Sequence, residues 1–200
     1  MKLTKAQQFL AGRVALLVSA FGTVLALVAG LHGVPFWRLP FVLLFSIWLG
    51  LLHLEEKNSL WLLINRPRIF CIFYLLLAGA SVLIDQMGLL SHLWFYSSSG
   101  VIQVFLNNFL LYPLAGLALI EVSSLFHEQR LALRISLTGI IFALFLFTLP
   151  DAAAPQWLYL TGPLAGLLNS FVFNVPIFLW VGSVACALLA ISIQLLCLKK

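Results

Sequence analysis

Val175–Leu198 reads VPIFLWVGSVACALLAISIQLLCL and is followed at once by Lys199 and Lys200. No charged residue interrupts the run. A helix needs ~20 apolar residues to cross the hydrocarbon of a bilayer, where its backbone groups must be satisfied internally because no water is present. This segment meets that requirement, and its paired lysines mark the return to water.

Working back along the chain, five more runs of the same kind appear. They cover about Val14–Leu31, Leu39–His53, Ile69–Ile84, Val101–Ile120 and Leu133–Leu149. The expected fold class is therefore an all-α integral membrane protein, a bundle of about six transmembrane helices within a single domain spanning 1–200. The first run follows Lys2, Lys5 and Arg13 as a signal peptide would. It lacks a small-residue cleavage site before Pro35 and is read as helix one. Pro155–Phe173 is apolar but broken by Gly162-Pro163 and Asn169. It is read as an interfacial or re-entrant segment ahead of the last helix.

Composition agrees. Charged residues make up 8% of the 200, against roughly 25% in soluble domains, and the mean hydropathy is +1.12. Too little charge remains to cover a water-facing surface. The net charge of +5 does not point to nucleic acid, because its placement encodes topology. With the N-terminus inside and six crossings, Lys2, Lys5, Arg13, Lys57, Arg66, Arg68, Arg130, Arg134, Lys199 and Lys200 are all cytosolic, leaving Arg38 alone outside. Retention of Lys and Arg on the cytosolic side during insertion accounts for such a split. Both termini are expected in the cytosol, and the setting in a bacterial cytoplasmic membrane. Cys71, Cys186 and Cys197 all fall in apolar runs without a CxxC partner and read as small packing residues.

The fourth run carries the most chemistry. At 100° per residue Gln103, Asn107, Leu110, Leu114, Leu117 and Glu121 share one face, while Asn108 and Tyr112 share another. Pro113 removes a backbone donor and disturbs the carbonyl of Phe109. Freed carbonyls and polar side chains near mid-membrane build solute sites in transporters; the same side chains equally serve helix–helix packing. Gln103, Asn107, Asn108 and Tyr112 are the expected ligand-binding residues, with Asp85 and Asn174 in the outer loops near the entrance. The function this implies is a small-solute or lipid-handling permease, or the membrane subunit of one.

Two alternatives stand beside it. His53, Glu56, Glu121 and His127 lie at inner helix ends, where imidazole and carboxylate could hold a metal for an embedded enzyme acting on a lipid-soluble substrate. Their spacing matches no metal motif, and Glu121 could instead pair with Arg130 or Arg134. No cofactor is identified. Ser97, Ser98 and Ser99 lack the strained turn of an activated serine. The third reading is a non-catalytic assembly or anchoring subunit. Ala11, Ala15, Ser19 and Thr23 recur at spacing four on helix one, a face that would let another membrane subunit approach closely. Six helices, short loops, cytosolic ends and this small-residue helix resemble in architecture the substrate-binding subunits of energy-coupling-factor transporters.

Overall fold

The computed structural model describes residues 5–34, 37–52, 58–90, 101–148, 170–173 and 175–198. The chain is all-α. Helix α1 spans Lys5–Leu31, α2 Arg38–Leu52, α3 Ser59–Asn65 and α4 Pro67–Leu90. A composite helix follows: α5 covers Val101–Leu106, a π-helical turn Asn107–Leu111, and α6 Tyr112–Ser124. Helix α7 covers Leu131–Thr148 and α8 Ile177–Leu198. Among the described residues, four stretches are long and apolar enough to cross a membrane, namely Leu10–Leu31, Pro67–Leu90, Val104–Ser124 and Trp180–Leu198; α2 and α7 are shorter apolar helices.

Several boundaries differ from the sequence expectation for identifiable reasons. Helix α1 starts at Lys5 rather than Val14, since Ala6, Gln7, Gln8 and Phe9 contain no helix breaker. Helix α4 starts at Pro67, whose missing N–H is harmless in a first turn. It runs on to Leu90, so Asp85 sits inside a helix and not in a loop. Between α2 and α4 the amphipathic stretch folds as α3. Its N-cap is Asn58, whose Oδ1 accepts from Trp61 N–H at 2.6 Å while its Nδ2 donates to Gly50 O at 3.0 Å.

Helix α8 begins two residues later than expected, because Val175–Pro176 pairs antiparallel with Phe171–Val172. Phe173, in the turn of this pairing, adopts φ 52°, a left-handed conformation unusual for an aromatic residue. Apart from 170–173, the segment expected to be interfacial or re-entrant lies outside the described residues.

The core lies among α4, α6 and α8, where Phe73, Leu77, Leu117, Ile120, Ala187 and Ile191 are buried together. Helix α7 joins through a close approach to α8: a Cβ at Gly139 would lie 2.6 Å from the Cα of Val184. Helix α1 packs chiefly on α2, in a separate cluster of Ala26, Trp37 and Phe41. Gly30 faces the Trp37 indole there, and an added Cβ would meet the ring at 2.4 Å. The opposite side of α1, with Leu17, Val18, Phe21, Val24 and Leu25, is exposed. That is the distribution a hydrocarbon solvent favours.

Candidate functional site

Two buried carboxylates organise the two ends of the bundle. The first is Asp85, 2% exposed. It lies five residues before the end of α4, ~7–8 Å along the helix axis. Its Oδ2 accepts from Asn108 Nδ2 at 3.0 Å, and the same amide nitrogen donates to Val104 O at 3.2 Å. Both contacts are to acceptors, which fixes the orientation of the Asn108 amide. Asn108 is 3% exposed, and its Oδ1 is buried without a partner.

The π-helical turn is what brings Asn108 to Asp85. Pro113 cannot donate to Phe109 O, and its ring would crowd that carbonyl in a regular helix. The backbone widens instead, and Tyr112 N–H is directed to Asn107 O, one residue further back than an α-helix would take it. The carbonyls of Asn108 and Phe109 thereby lose their usual helical donors. Phe109 O recovers one from across the interface, accepting from the Tyr74 hydroxyl of α4 at 2.8 Å.

This turn also corrects the expected stripe from Gln103 to Glu121. One extra residue in the turn rotates α5 against α6, so the two halves of that face no longer align. Asn107 is half-buried, and among the described residues its side chain makes no hydrogen bond. Tyr112 is half-buried on the first turn of α6. Of the six expected ligand-binding residues, the fold thus brings Asp85 and Asn108 into contact, with Asn107 and Tyr112 on the adjoining turns. Gln103 is on α5, with its side chain outside those described, and Asn174 lies outside the described residues.

The second carboxylate, Glu121, is fully buried near the end of α6. Its Oε1 accepts from the Ser59 N–H at 2.8 Å and from the Ser59 hydroxyl, while Oε2 is buried without a partner. Gly50 makes room for it, since a Cβ there would sit 3.4 Å from the Glu121 Cδ and 2.8 Å from Leu60 Cβ. The expected pairing of Glu121 with Arg134 is replaced by a different arrangement. Arg134 donates through Nε to Ser123 O at 3.0 Å and through Nη2 to Ser123 Oγ at 2.7 Å. A guanidinium at the end of α6 satisfies carbonyls that helix geometry leaves open and opposes the negative end of the helix dipole.

His127 turns elsewhere. It is exposed in the α6–α7 connection, where Nδ1 contacts Ser124 O at 3.0 Å and Nε2 lies 3.9 Å from Glu128. His53 and Glu56 lie outside the described residues. Among the described residues, no three His, Cys, Asp or Glu side chains gather where they could hold a metal ion.

Sequence reasoning missed Ser59, Tyr74 and Ser123. Pro113 did announce a deprived carbonyl at Phe109, but nothing local names a donor 35 positions away. Of the small-residue face on α1, Ser19 and Thr23 are buried, and Ala11 and Ala15 are exposed. No protein-family model, curated protein or solved structure matches the chain.

Proposed function

We propose that this chain is a multi-pass membrane permease, or the solute-binding membrane subunit of one, for a small polar or amphiphilic solute held between α4 and the π-interrupted helix. The observation that carries this reading is the buried Asp85–Asn108 pair beside a proline-induced π turn. A carboxylate among membrane-spanning helices is costly to maintain and marks solute or ion pathways. Helices that lose their regular hydrogen bonding near mid-membrane present polar groups to such ligands. Asn107, whose side-chain amide makes no hydrogen bond among the described residues, and Tyr112 supply further polar groups within apolar walls. Following the basic flanks, we read the pair as lying in the outer half of a bacterial cytoplasmic membrane.

The test is a thermal-shift screen of purified protein against polar and amphiphilic solutes, followed by flux of any hit into proteoliposomes. A solute that stabilises the wild type, but not Asn107→Ala, and that crosses only protein-containing vesicles is the expected result. A hit that stabilises both proteins equally, or wild-type vesicles no more permeable than empty ones, removes the reading.

One observation favours a second reading, as an assembly subunit. Helix α1 is attached to the bundle chiefly through α2, and its Ala11 and Ala15 are exposed. A partner helix could approach closely at those two positions.

A further inference from the structure

Two cations stand at the junction of α3 and α4. The side chains of Arg66 and Arg68 are exposed, and among the described residues neither has an ion-pair partner. The backbone that carries them is nonetheless fixed. Arg66 N–H donates to Leu62 O at 2.8 Å, and Arg66 O accepts from Phe70 N–H at 3.0 Å. Pro67 locks φ between the two arginines. Helix α3 is itself tied to α6 through Ser59 and Glu121. The Arg66 guanidinium lies over the Trp61 ring, 5.7 Å from its centroid, which keeps it against α3.

A second feature starts at Arg68. Positions 68, 72, 75 and 79 fall within ~60° of one another around α4, and Ile72, Leu75 and Gly79 are all exposed there. A methyl added at Gly79 would meet nothing within 4 Å, so the stripe is notched at that point. Arg68 lies at the first turn of the spanning stretch Pro67–Leu90. Gly79 is ~16 Å further along the axis, about half the thickness of the hydrocarbon. A paired positive charge at the membrane surface thus leads into an open apolar track that reaches mid-membrane.

We propose that this junction binds an anionic phospholipid of the cytosolic leaflet, its phosphate on Arg66 and Arg68 and an acyl chain along Ile72, Leu75 and Gly79. Guanidinium groups suit phosphate, because their planar N–H pairs match its oxygens two at a time. Basic groups just cytosolic of a spanning helix attract anionic headgroups. A soluble phosphate would use the two cations and leave the track beneath them unused, so the lipid is the ligand that fits both features.

Other charges on this side are engaged elsewhere or set apart. Glu121 is buried against Ser59, and Glu128 lies beside His127 in the α6–α7 connection. Glu55 and Glu56 lie outside the described residues; in the chain they precede α3, whose seven residues rise ~10 Å before Arg66. Arg130 is exposed ahead of α7 and provides an internal control. The site uses no residue of the solute reading, so either can fail without the other.

The test is native mass spectrometry of the delipidated full chain in mild detergent, with phosphatidylglycerol or phosphatidylcholine of matched chains added. Each basic group near a membrane surface is worth ~fivefold in affinity for anionic lipid. Wild type should therefore retain phosphatidylglycerol well above phosphatidylcholine. Arg68→Gln should lower that preference ~fivefold, and Arg66→Gln/Arg68→Gln should abolish it, while Arg130→Gln leaves it unchanged. Soluble glycerol phosphate at the same concentration should not displace the lipid.

Equal retention of the two lipids by wild type overturns the proposal, as does an unchanged preference in the double variant. An equal loss in Arg130→Gln would mean diffuse charge in place of a site, and displacement by glycerol phosphate would mean a phosphate site without a lipid; both overturn it. If the double variant fails to insert, Arg68→Gln decides alone: a reduced preference supports the site, and an unchanged one removes it.

Discussion

Ser59 and Glu121, 62 positions apart, are joined through a single carboxylate oxygen that accepts both the Ser59 amide N–H at 2.8 Å and its hydroxyl. The contact ties the start of the short helix α3 to the end of the long helix α6. Helix α3 has seven residues, too few to be stable alone. Asn58 caps it from within, and Glu121 holds it from across the bundle, adding negative charge at the positive end of its dipole.

Glu121→Ala leaves the two Ser59 donors buried without an acceptor, a loss of about 2–4 kcal/mol. Glu121→Gln keeps one acceptor oxygen and is expected to cost about half as much. Thermal unfolding in detergent measures both. Limited trypsinolysis adds a local readout, since the Arg68–Ile69 bond lies just past the end of α3 and should be cut faster in Glu121→Ala. Wild-type melting and protection in that variant would show that the contact does not hold α3.

At the π turn, Pro113→Ala restores an N–H to the helix. Phe109 O then has its own backbone donor, and the turn can relax to α-helical geometry. Residues before it would rotate by ~100° relative to those after it, taking Asn108 away from Asp85. The expected result is a folded protein that no longer responds to a stabilising solute. In the wild type, Tyr74→Phe leaves Phe109 O without a donor and costs about 1–2 kcal/mol. In the Pro113→Ala background the same change is expected to cost little, a coupling that a double-mutant cycle reads directly. Equal costs in both backgrounds would refute the link between Tyr74 and Pro113.

The apolar runs announce the fold class because length and lack of charge are local properties. Pro113 announces a broken helix for the same reason. Asp85 is harder to place, since a carboxylate after an apolar run looks like a loop residue until its buried partner is known. Asn108 is that partner, 23 positions away, and it reaches Asp85 only through the widened turn. Proximity along the chain assigns an arginine to Glu121. Tertiary packing gives it Ser59 instead, and gives Arg134 to Ser123. Local sequence does not encode which distant donor answers which buried acceptor.

Glycines in α7 and α8 separate close packing from mere permissiveness. Gly139→Ala drives a methyl onto the backbone of Val184, with Cα at 2.6 Å and N at 2.9 Å, neither of which can rotate away. Separation of the two helices should cost about 1–3 kcal/mol. A methyl added at Gly182 on α8 would meet nothing within 4 Å, and Gly182→Ala should stabilise by about 0.5–1 kcal/mol through improved helix propensity. Opposite shifts in melting temperature are expected, and shifts of the same sign would contradict the α7–α8 contact.

Helix α1 tests the assembly reading within one stripe. Ser19 and Thr23 are buried, their hydroxyls bonded back to Leu16 O at 3.0 Å and Ser19 O at 2.7 Å. Ser19→Leu has no room and should lower the melting temperature of the isolated chain, by overpacking worth about 1–3 kcal/mol. Ala15 is exposed, so Ala15→Leu should leave that temperature unchanged. The two variants diverge in native membranes if Ala15 docks a partner helix. Extraction in mild detergent should then give a larger complex for wild type than for Ala15→Leu, with equal amounts of the chain itself. Identical particle sizes would leave Ala11 and Ala15 facing lipid alone, and the exposed half of the stripe would carry no argument for a second subunit.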